Sequence, residues 1–473
     1  MIIIDILSNM LFVLALGYYF MTNMQWYSYK IERVVFHHTK PLWHLIYFLV
    51  PVILYFLLNK FHLSMIITAI YIGVLYRWKQ ELDKPLIFTS RVKRFFLALI
   101  FFIIFTIMLS FGTKHGNIGV ITPLFLAYFV SFLIEKMLFL GFIKQAKTKL
   151  NSMDTTIVIG VTASYGKTSI KNYIAHILSA KYKVYATPRS VNTFGGVLKD
   201  INNDLPIDTE IYVVEMGARG RGDIKEITSF VNPHFAIVGK IGVAHIEYFG
   251  SLENIRDTKM EILSSNRLKE AWVHDSAKIK PEKNIHTFGS DITNIKATLD
   301  GLDFEMEGEK YHANILGSFN AMNLAVAIKL AKALGIEEKD IKKQLNSLTP
   351  TPHRLQRIDA GGKVIIDDSF NGNIDGMLEG FNLASTYNGR KVLITPALIE
   401  VDDEFNIKVA KRADEVFDLI IVTGDLNYPI FKKYIDNNKL LKLDSKNNME
   451  KMLLEHTKKG DLILFANDAP NFI

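Results

Sequence analysis

The sequence predicts an α/β protein carried behind a helical, membrane-spanning N-terminal third. Two observations predict it. Before about residue 151 the chain is dominated by Phe, Leu, Ile and Tyr in long runs, whereas after it charged and apolar residues mix as in a soluble protein. Beyond that shift, residues 157–169 read Ile-Val-Ile-Gly-Val-Thr-Ala-Ser-Tyr-Gly-Lys-Thr-Ser, and further strand, loop and helix patterns follow. At 473 residues the chain is too long for one core, so two or three domains are expected.

Five segments of the first third approach the ~20 apolar residues that span a bilayer: residues 6–20, 42–58, 63–76, 95–111 and 118–142. The third is the shortest, and only Asn59-Lys60-Phe61-His62 separates it from the second. Lys30, Arg33 and Lys40 follow the first segment, Arg77, Lys79, Lys84, Arg91, Lys93 and Arg94 follow the third, and Lys144, Lys147 and Lys149 follow the fifth. Cytoplasmic loops concentrate such charges, so the N-terminus is expected outside and everything after Phe142 in the cytoplasm, as a multi-pass protein of the cytoplasmic (inner) membrane with lipid as a partner. Glu135 and Lys136 are ionisable residues inside the fifth segment. As neighbours in sequence they do not share a helix face.

Composition removes several chemistries. With no cysteine there are no disulfides, thiolate zinc sites or cysteine nucleophiles. The net charge of +7 does not argue for nucleic acid, because Lys and Arg collect in the loops between apolar segments.

The run 157–162 is short and β-branched, as a buried parallel strand is, and Tyr173, Ile174, Ile177 and Leu178 recur at helical spacing after it. A small-residue loop between strand and helix lets backbone N–H groups wrap a polyphosphate. Gly166, Lys167, Thr168 and Ser169 form that cradle: Gly166 admits the ligand, Lys167 reaches the terminal phosphates and the Thr168 hydroxyl holds Mg²⁺. The pattern is not the strict P-loop, since Val161 stands where the first glycine belongs.

Downstream, residues 183–187 form a short strand, followed by a polar loop through Asn192 to Gly196. Residues 210–215 form a strand that delivers Glu215 at its C-terminal end, where ligands sit in open α/β sheets. A strand at 235–239 leads to His245, and a helical stretch carries Lys259. Mg²⁺ takes oxygen ligands from a few protein groups plus phosphate, so Glu215 is a natural ligand and His245 a second candidate.

These stretches carry a resemblance. The Gly-Lys-Thr loop, Glu215-Met216-Gly217-Ala218 with Gly222-Asp223-Ile224, Ala244-His245-Ile246-Glu247, Lys259-Met260-Glu261-Ile262, the run from Gly317 to Ala325, Pro352-His353-Arg354-Leu355 and Ile366-Asp367-Asp368-Ser369-Phe370-Asn371-Gly372-Asn373 together resemble the Mur ligases, the ATP-dependent amide-forming enzymes of peptidoglycan stem-peptide synthesis. Within the family the last run is most similar to the branch that adds D-alanyl-D-alanine to the UDP-N-acetylmuramoyl-tripeptide. The apolar segments give a membrane region over 1–150, and the resemblance implies an ATP-binding central domain over 151–349 and a Rossmann-like C-terminal domain over 350–473.

It also implies roles. Lys167, His245, Lys259 and Arg354 would be catalytic, with Thr168, Glu215, His245 and Lys259 at the metal, Lys259 as a carbamate. Asn323 would face the adenine, Arg354 and Asp367 would reach phosphates and ribose, and Asn192, Asn371 and Asn373 would lie along the nucleotide-sugar peptide and dipeptide substrates. Departures are specific: Ala163 replaces a usual glycine, Lys240 a usual asparagine and His353 a usual glycine, and five apolar segments stand where the family's UDP-sugar-binding domain would be. The missing domain leaves open a Mur-type ligase with a different or lipid-linked acceptor. A transporter regulated by nucleotide would need a solute path that the first 150 residues do not show.

Overall fold

The computed structural model describes residues 2–27, 29–36, 40, 42–80, 82, 85–113, 120–243, 246–350, 352–369, 374–398, 403–444 and 448–467. They form two compact units, Met1–Lys144 and Gln145–Ile473.

The first unit is helical: α1 (Ile2–Trp26), α2 (Ile31–Phe36), α3 (Leu42–His44) running through a π-helical turn (Leu45–Leu49) into α4 (Val50–Asn59), α5 (Ser64–Gln80), α6 (Ser90–Thr113) and α7 (Ile121–Asn151). Four stretches, Ile3–Trp26, Leu42–Asn59, Ser90–Ser110 and Ile121–Asn151, are long and apolar enough to cross a membrane. The segment expected at 63–76 is α5, whose 17 residues extend about 26 Å at 1.5 Å per residue. That is slightly under the ~30 Å hydrocarbon thickness. Its polar residues Ser64 and Thr68 pair with α1. Thr68 Oγ1 lies 2.9 Å from Ser8 Oγ on α1, and Ser64 Oγ donates to Asp5 Oδ1 at 3.1 Å.

Inside the unit Phe12, Leu16, Tyr19, Tyr71, Trp78 and Phe95 are buried together, while Leu97, Phe101, Met108, Phe125 and Met137 face outward. The unit thus carries an apolar coat over an aromatic core. Glu135 of α7 accepts from Arg94 Nε and Nη2 of α6 at 2.9 and 2.5 Å. Its charge is therefore matched within the unit.

The second unit holds three sheets. In the first, β1 (Ile157–Thr162), β2 (Val184–Ala186), β3 (Ile211–Glu215), β4 (Phe235–Val238), β5 (Glu270–His274) and β6 (Ile285–Phe288) lie all parallel in the order β2-β3-β1-β4-β5-β6. β1 is central and buried, which is why it reads as an unbroken apolar run. Helix α8 (Lys167–Leu178) follows it and packs Tyr173, Ile174 and Ile177 into one core with Ala321, Leu324 and Ala325 of α13 (Asn320–Ala333). Between them in sequence lie α9 (Phe194–Asn203), α10 (Asp223–Val231), α11 (Ile246–Phe249) and α12 (Leu252–Met260).

A small antiparallel sheet of β7 (Ile292–Thr298), β8 (Gly301–Met306) and β9 (Glu309–Ala313) adjoins this core, and α14 (Glu338–Asn346) follows α13. The third sheet contains β10 (Gln356–Ala360), β11 (Lys363–Asp368), β12 (Lys391–Thr395), β13 (Leu419–Thr423), β14 (Leu440–Leu443) and β15 (Leu462–Ala466), in the order β10-β11-β15-β12-β13-β14. Only the β10–β11 pair is antiparallel. Helices α15 (Ile374–Ser385) and α16 (Asp403–Val416) cover one face with Met377, Phe381, Val409 and Ala413.

Candidate active site

The parallel register sets the site. Val161 is opposite Glu215, so the loop leaving β1 and the carboxylate ending β3 emerge side by side at the C-terminal edge of the sheet. Gly166 caps α8 with φ +79°. A Cβ there would come within 2.9 Å of Asn323 Oδ1, so both backbone conformation and space demand glycine. The loop is tied down by Ser164 N–H to the Lys240 carbonyl at 2.9 Å and Ser164 Oγ to the Gly242 carbonyl at 3.0 Å.

Lys167 folds back so that its Nζ donates to the Ala163 and Ser164 carbonyls at 2.8 and 3.3 Å, and burial lowers its pKa. Thr168 Oγ1 donates to Glu215 Oε2 at 3.0 Å. Asn192 Nδ2 donates to the other oxygen, Oε1, at 3.0 Å. Gly217 lets Asn192 come this close, since a Cβ on Gly217 would meet the Asn192 side chain at 2.7 Å. Lys259, on α12, is 4% exposed. Burial, with the Lys167 charge adding, lowers its pKa to about 7. Its neighbour Glu261 is engaged by the backbone amides of Gly222 and Lys225 at 2.7 and 3.0 Å.

Beside the loop lies a cavity of about 570 Å³. Gly166, Ser169 and Asn323 line it, with Phe288, Ile295 and Met322 as apolar walls. Arg354 and Asp368 line it from the third-sheet side. Burial lowers the Arg354 pKa and raises that of Asp368 to about 7, against the Leu355 N–H and the Arg354 charge. Asn323 is oriented by Asn320, whose Oδ1 accepts from Asn323 Nδ2 and Tyr173 Oη, each at 3.1 Å.

Of the residues singled out in the sequence, Gly166, Lys167, Thr168, Ser169, Asn192, Glu215, Lys259, Asn323 and Arg354 gather around this loop and cavity. His245, Asn371 and Asn373 lie outside the described residues. Asp367 stands apart from the cavity: it is fully buried, accepts from Ser369 N and Oγ at 3.0 and 2.6 Å, and meets His353 Nδ1 at 2.7 Å. Successive strand residues face opposite ways, so of the Asp367-Asp368 pair the second lines the cavity. His353 holds φ +61°, the left-handed conformation for which glycine is the usual choice. Sequence reading also passed over Lys171, buried one helical turn beyond Lys167; the four-residue spacing was its only signal.

An oxygen pair from Thr168 and Glu215 suits a hard divalent cation completed by phosphate oxygens. Among the described residues there is no group of three or more His, Asp or Glu that could hold a metal ion. The arrangement can bind a nucleoside triphosphate and stabilise charge on a phosphoryl group in transfer.

Comparison with known proteins agrees with this geometry. Residues 161–331 match the Mur ligase middle domain. The chain is similar to the UDP-N-acetylmuramoyl-tripeptide--D-alanyl-D-alanine ligases of Bacillus subtilis, 29% identical over 68% of this chain and 74% of that protein, and of Synechocystis, 30% identical over 53% and 57%. Among solved structures, MurF ligase from Thermotoga maritima in complex with ADP aligns with a TM-score of 0.59 and 26% identity over 69% of this chain and 79% of that one. A Mycobacterium tuberculosis folylpolyglutamate synthase shares the fold, with a TM-score of 0.54 at 14% identity. Residues 161–331 thus match a Mur ligase middle domain, and over about two thirds of its length the chain is similar to Mur ligases.

Proposed function

We propose that this protein is a membrane-anchored ligase that joins D-alanyl-D-alanine to UDP-N-acetylmuramoyl-tripeptide at the expense of ATP, through an acyl phosphate, in peptidoglycan precursor synthesis. The observation that carries the reading is the Thr168–Glu215 pair at the mouth of the glycine loop, whose Gly166 and Ser169 line a cavity that Arg354 also lines. The named relatives support the same substrates.

The chain's own groups divide the work. Lys167, turned from its loop carbonyls, would neutralise the terminal phosphates, and Arg354 would hold the transferring phosphoryl group from the opposite side. Asn323 and the apolar walls would seat the base. Mg²⁺, when bound by Thr168 and Glu215, supplies Lewis-acid stabilisation of phosphoryl charge. Lys259 fits a carbamate: its lowered pKa leaves a neutral amine near pH 7, the form that adds carbon dioxide, and burial shields the product. Asn192, bonded to Glu215, would meet the acceptor peptide. His245, Asn371 and Asn373 complete the proposed set.

The first 150 residues would anchor the enzyme in the cytoplasmic membrane, with residues 151–349 and 350–473 acting as nucleotide-binding and C-terminal domains in the cytoplasm. The four apolar stretches and the outward apolar coat support this. Detergent-solubilised protein supplied with ATP, Mg²⁺, the UDP-linked tripeptide and D-alanyl-D-alanine should release phosphate and yield the pentapeptide by mass spectrometry. Release with a lipid-linked acceptor alone would assign a different substrate.

A further inference from the structure

Lys171 is 1% exposed, which is unusual for an ammonium. Its Nζ lies 3.2 Å from Glu215 Oε2 and donates to the Arg189 carbonyl at 2.5 Å. A third charge stands near: the buried Asp200 carboxylate, which accepts from Tyr185 Oη at 2.6 Å and Tyr212 Oη at 2.8 Å. Lys167 and Lys171 are four apart on α8, so one helix face presents the first to the phosphate loop and the second to the carboxylate.

Arg189 begins the loop that carries Asn192, and Arg189 itself takes the left-handed φ of +48°. That loop meets the site at three points: Arg189 C=O on Lys171, Asn192 Nδ2 on Glu215, and Gly217 N–H on the Asn192 carbonyl at 2.7 Å. Lys171 is the one side chain among them that touches both the loop backbone and the carboxylate. A methionine there would fill the space without the cost of burying a charge, and buried ion pairs are often no more stabilising than apolar replacements. Packing therefore does not account for a lysine at this position.

We propose that Lys171 is a positioning residue that locks the 188–196 loop in register with Glu215, so that the acceptor-binding side of the site is built only when the phosphate side is. The proposal rests on the functional reading above for the loop's substrate, though not for the lock itself. Lys171→Met keeps the aliphatic stem and removes the donors. Tyr212→Phe disturbs the same buried network through Asp200 without touching loop or carboxylate, and serves as the control.

The first measurement is hydrogen exchange of the full-length, detergent-solubilised protein without any substrate. Lys171→Met should speed exchange selectively across 188–196, and Tyr212→Phe should not. The second is kinetics: the KM for the UDP-linked acceptor should rise on the order of tenfold, as for one lost charge-assisted hydrogen bond, with KM for ATP little changed. Unaltered exchange in the loop, or acceleration spread evenly over the second unit, overturns the lock. If loop exchange rises but the wild-type protein does not ligate this acceptor, the lock stands and the substrate assignment fails. Should Lys171→Met not fold, Lys171→Met with Asp200→Asn withdraws two of the three buried charges and gives the same two readings.

Discussion

Thr168 donates its hydroxyl to Glu215 across 3.0 Å, joining the first turn of the phosphate-loop helix to the end of the neighbouring strand. These two oxygens would hold a divalent ion, which would supply charge stabilisation to a bound phosphate. Glu215→Gln keeps the size and the acceptor for Thr168 but removes the charge. Its phosphate release should fall on the order of 10²- to 10³-fold, with a raised Mg²⁺ requirement. Lys167→Ala should abolish release and leave the circular dichroism spectrum unchanged, because among the described residues its ammonium bonds to its own loop. Normal turnover in either variant would remove the phosphate-site assignment.

Lys259 makes two predictions. Lys259→Ala should lose ligation, and formate or acetate at high concentration should restore part of it by occupying the carbamate position. The pKa of about 7, against about 10.4 unfolded, means that between these values the unfolded chain binds a proton the native chain does not. Stability relative to Lys259→Ala should therefore rise as pH climbs from about 7 to about 10 in carbon-dioxide-free, metal-free buffer, and denaturant titrations at the two ends measure it. A flat difference would show that the amine is not held neutral.

The two adjacent aspartates should separate. Asp368→Asn keeps an acceptor for the Leu355 N–H yet alters the cavity, so KM for ATP should rise about tenfold. Its pKa of about 7, raised above about 3.9, stabilises the native state at low pH and loses that contribution as pH rises through 7. Wild type should accordingly lose stability relative to Asp368→Asn between about pH 4 and 7. Asp367→Asn removes the anion beneath His353, and its effect should fall on stability, about 2 kcal/mol, more than on KM.

Topology turns on α5. The proposed outside N-terminus and cytoplasmic catalytic body would require an odd number of crossings, and the four longer apolar stretches among the described residues would supply an even one. On the proposed topology helix α5 would cross as well, its shortness offset by packing on α1 through Ser8 and Thr68. Reporter fusions at Lys60, Lys84 and Lys114 should read outside, inside and outside. Lys60 and Lys84 on one side would exclude α5 as a span.

Local periodicity carried most of what could be read without coordinates. The buried run before Gly166, the helix after it and Glu215 at a strand end all follow from patterns a few residues long, and all meet at the sheet edge. What stayed hidden depends on partners far away in sequence. Which of Asp367 and Asp368 enters the cavity depends on how β11 faces, and the purpose of Lys171 on the Arg189 carbonyl 18 residues on. That Glu135 is matched by Arg94 depends on α6 meeting α7, 41 residues apart.

The placement of β15 between β11 and β12 bears on how the chain is made. Ribosomes deliver β10 through β14 first, yet β11 and β12 have no direct pairing until residues 462–466 arrive to fill the gap. The first parallel sheet, whose strands are complete by Phe288, can close during synthesis. The third must wait, with Arg354 and Asp368 already made but held by an unfinished sheet. A nascent chain stalled short of Leu462 would thus present a folded phosphate loop without its opposing wall, and arrest-peptide force measurements should register two separate folding events.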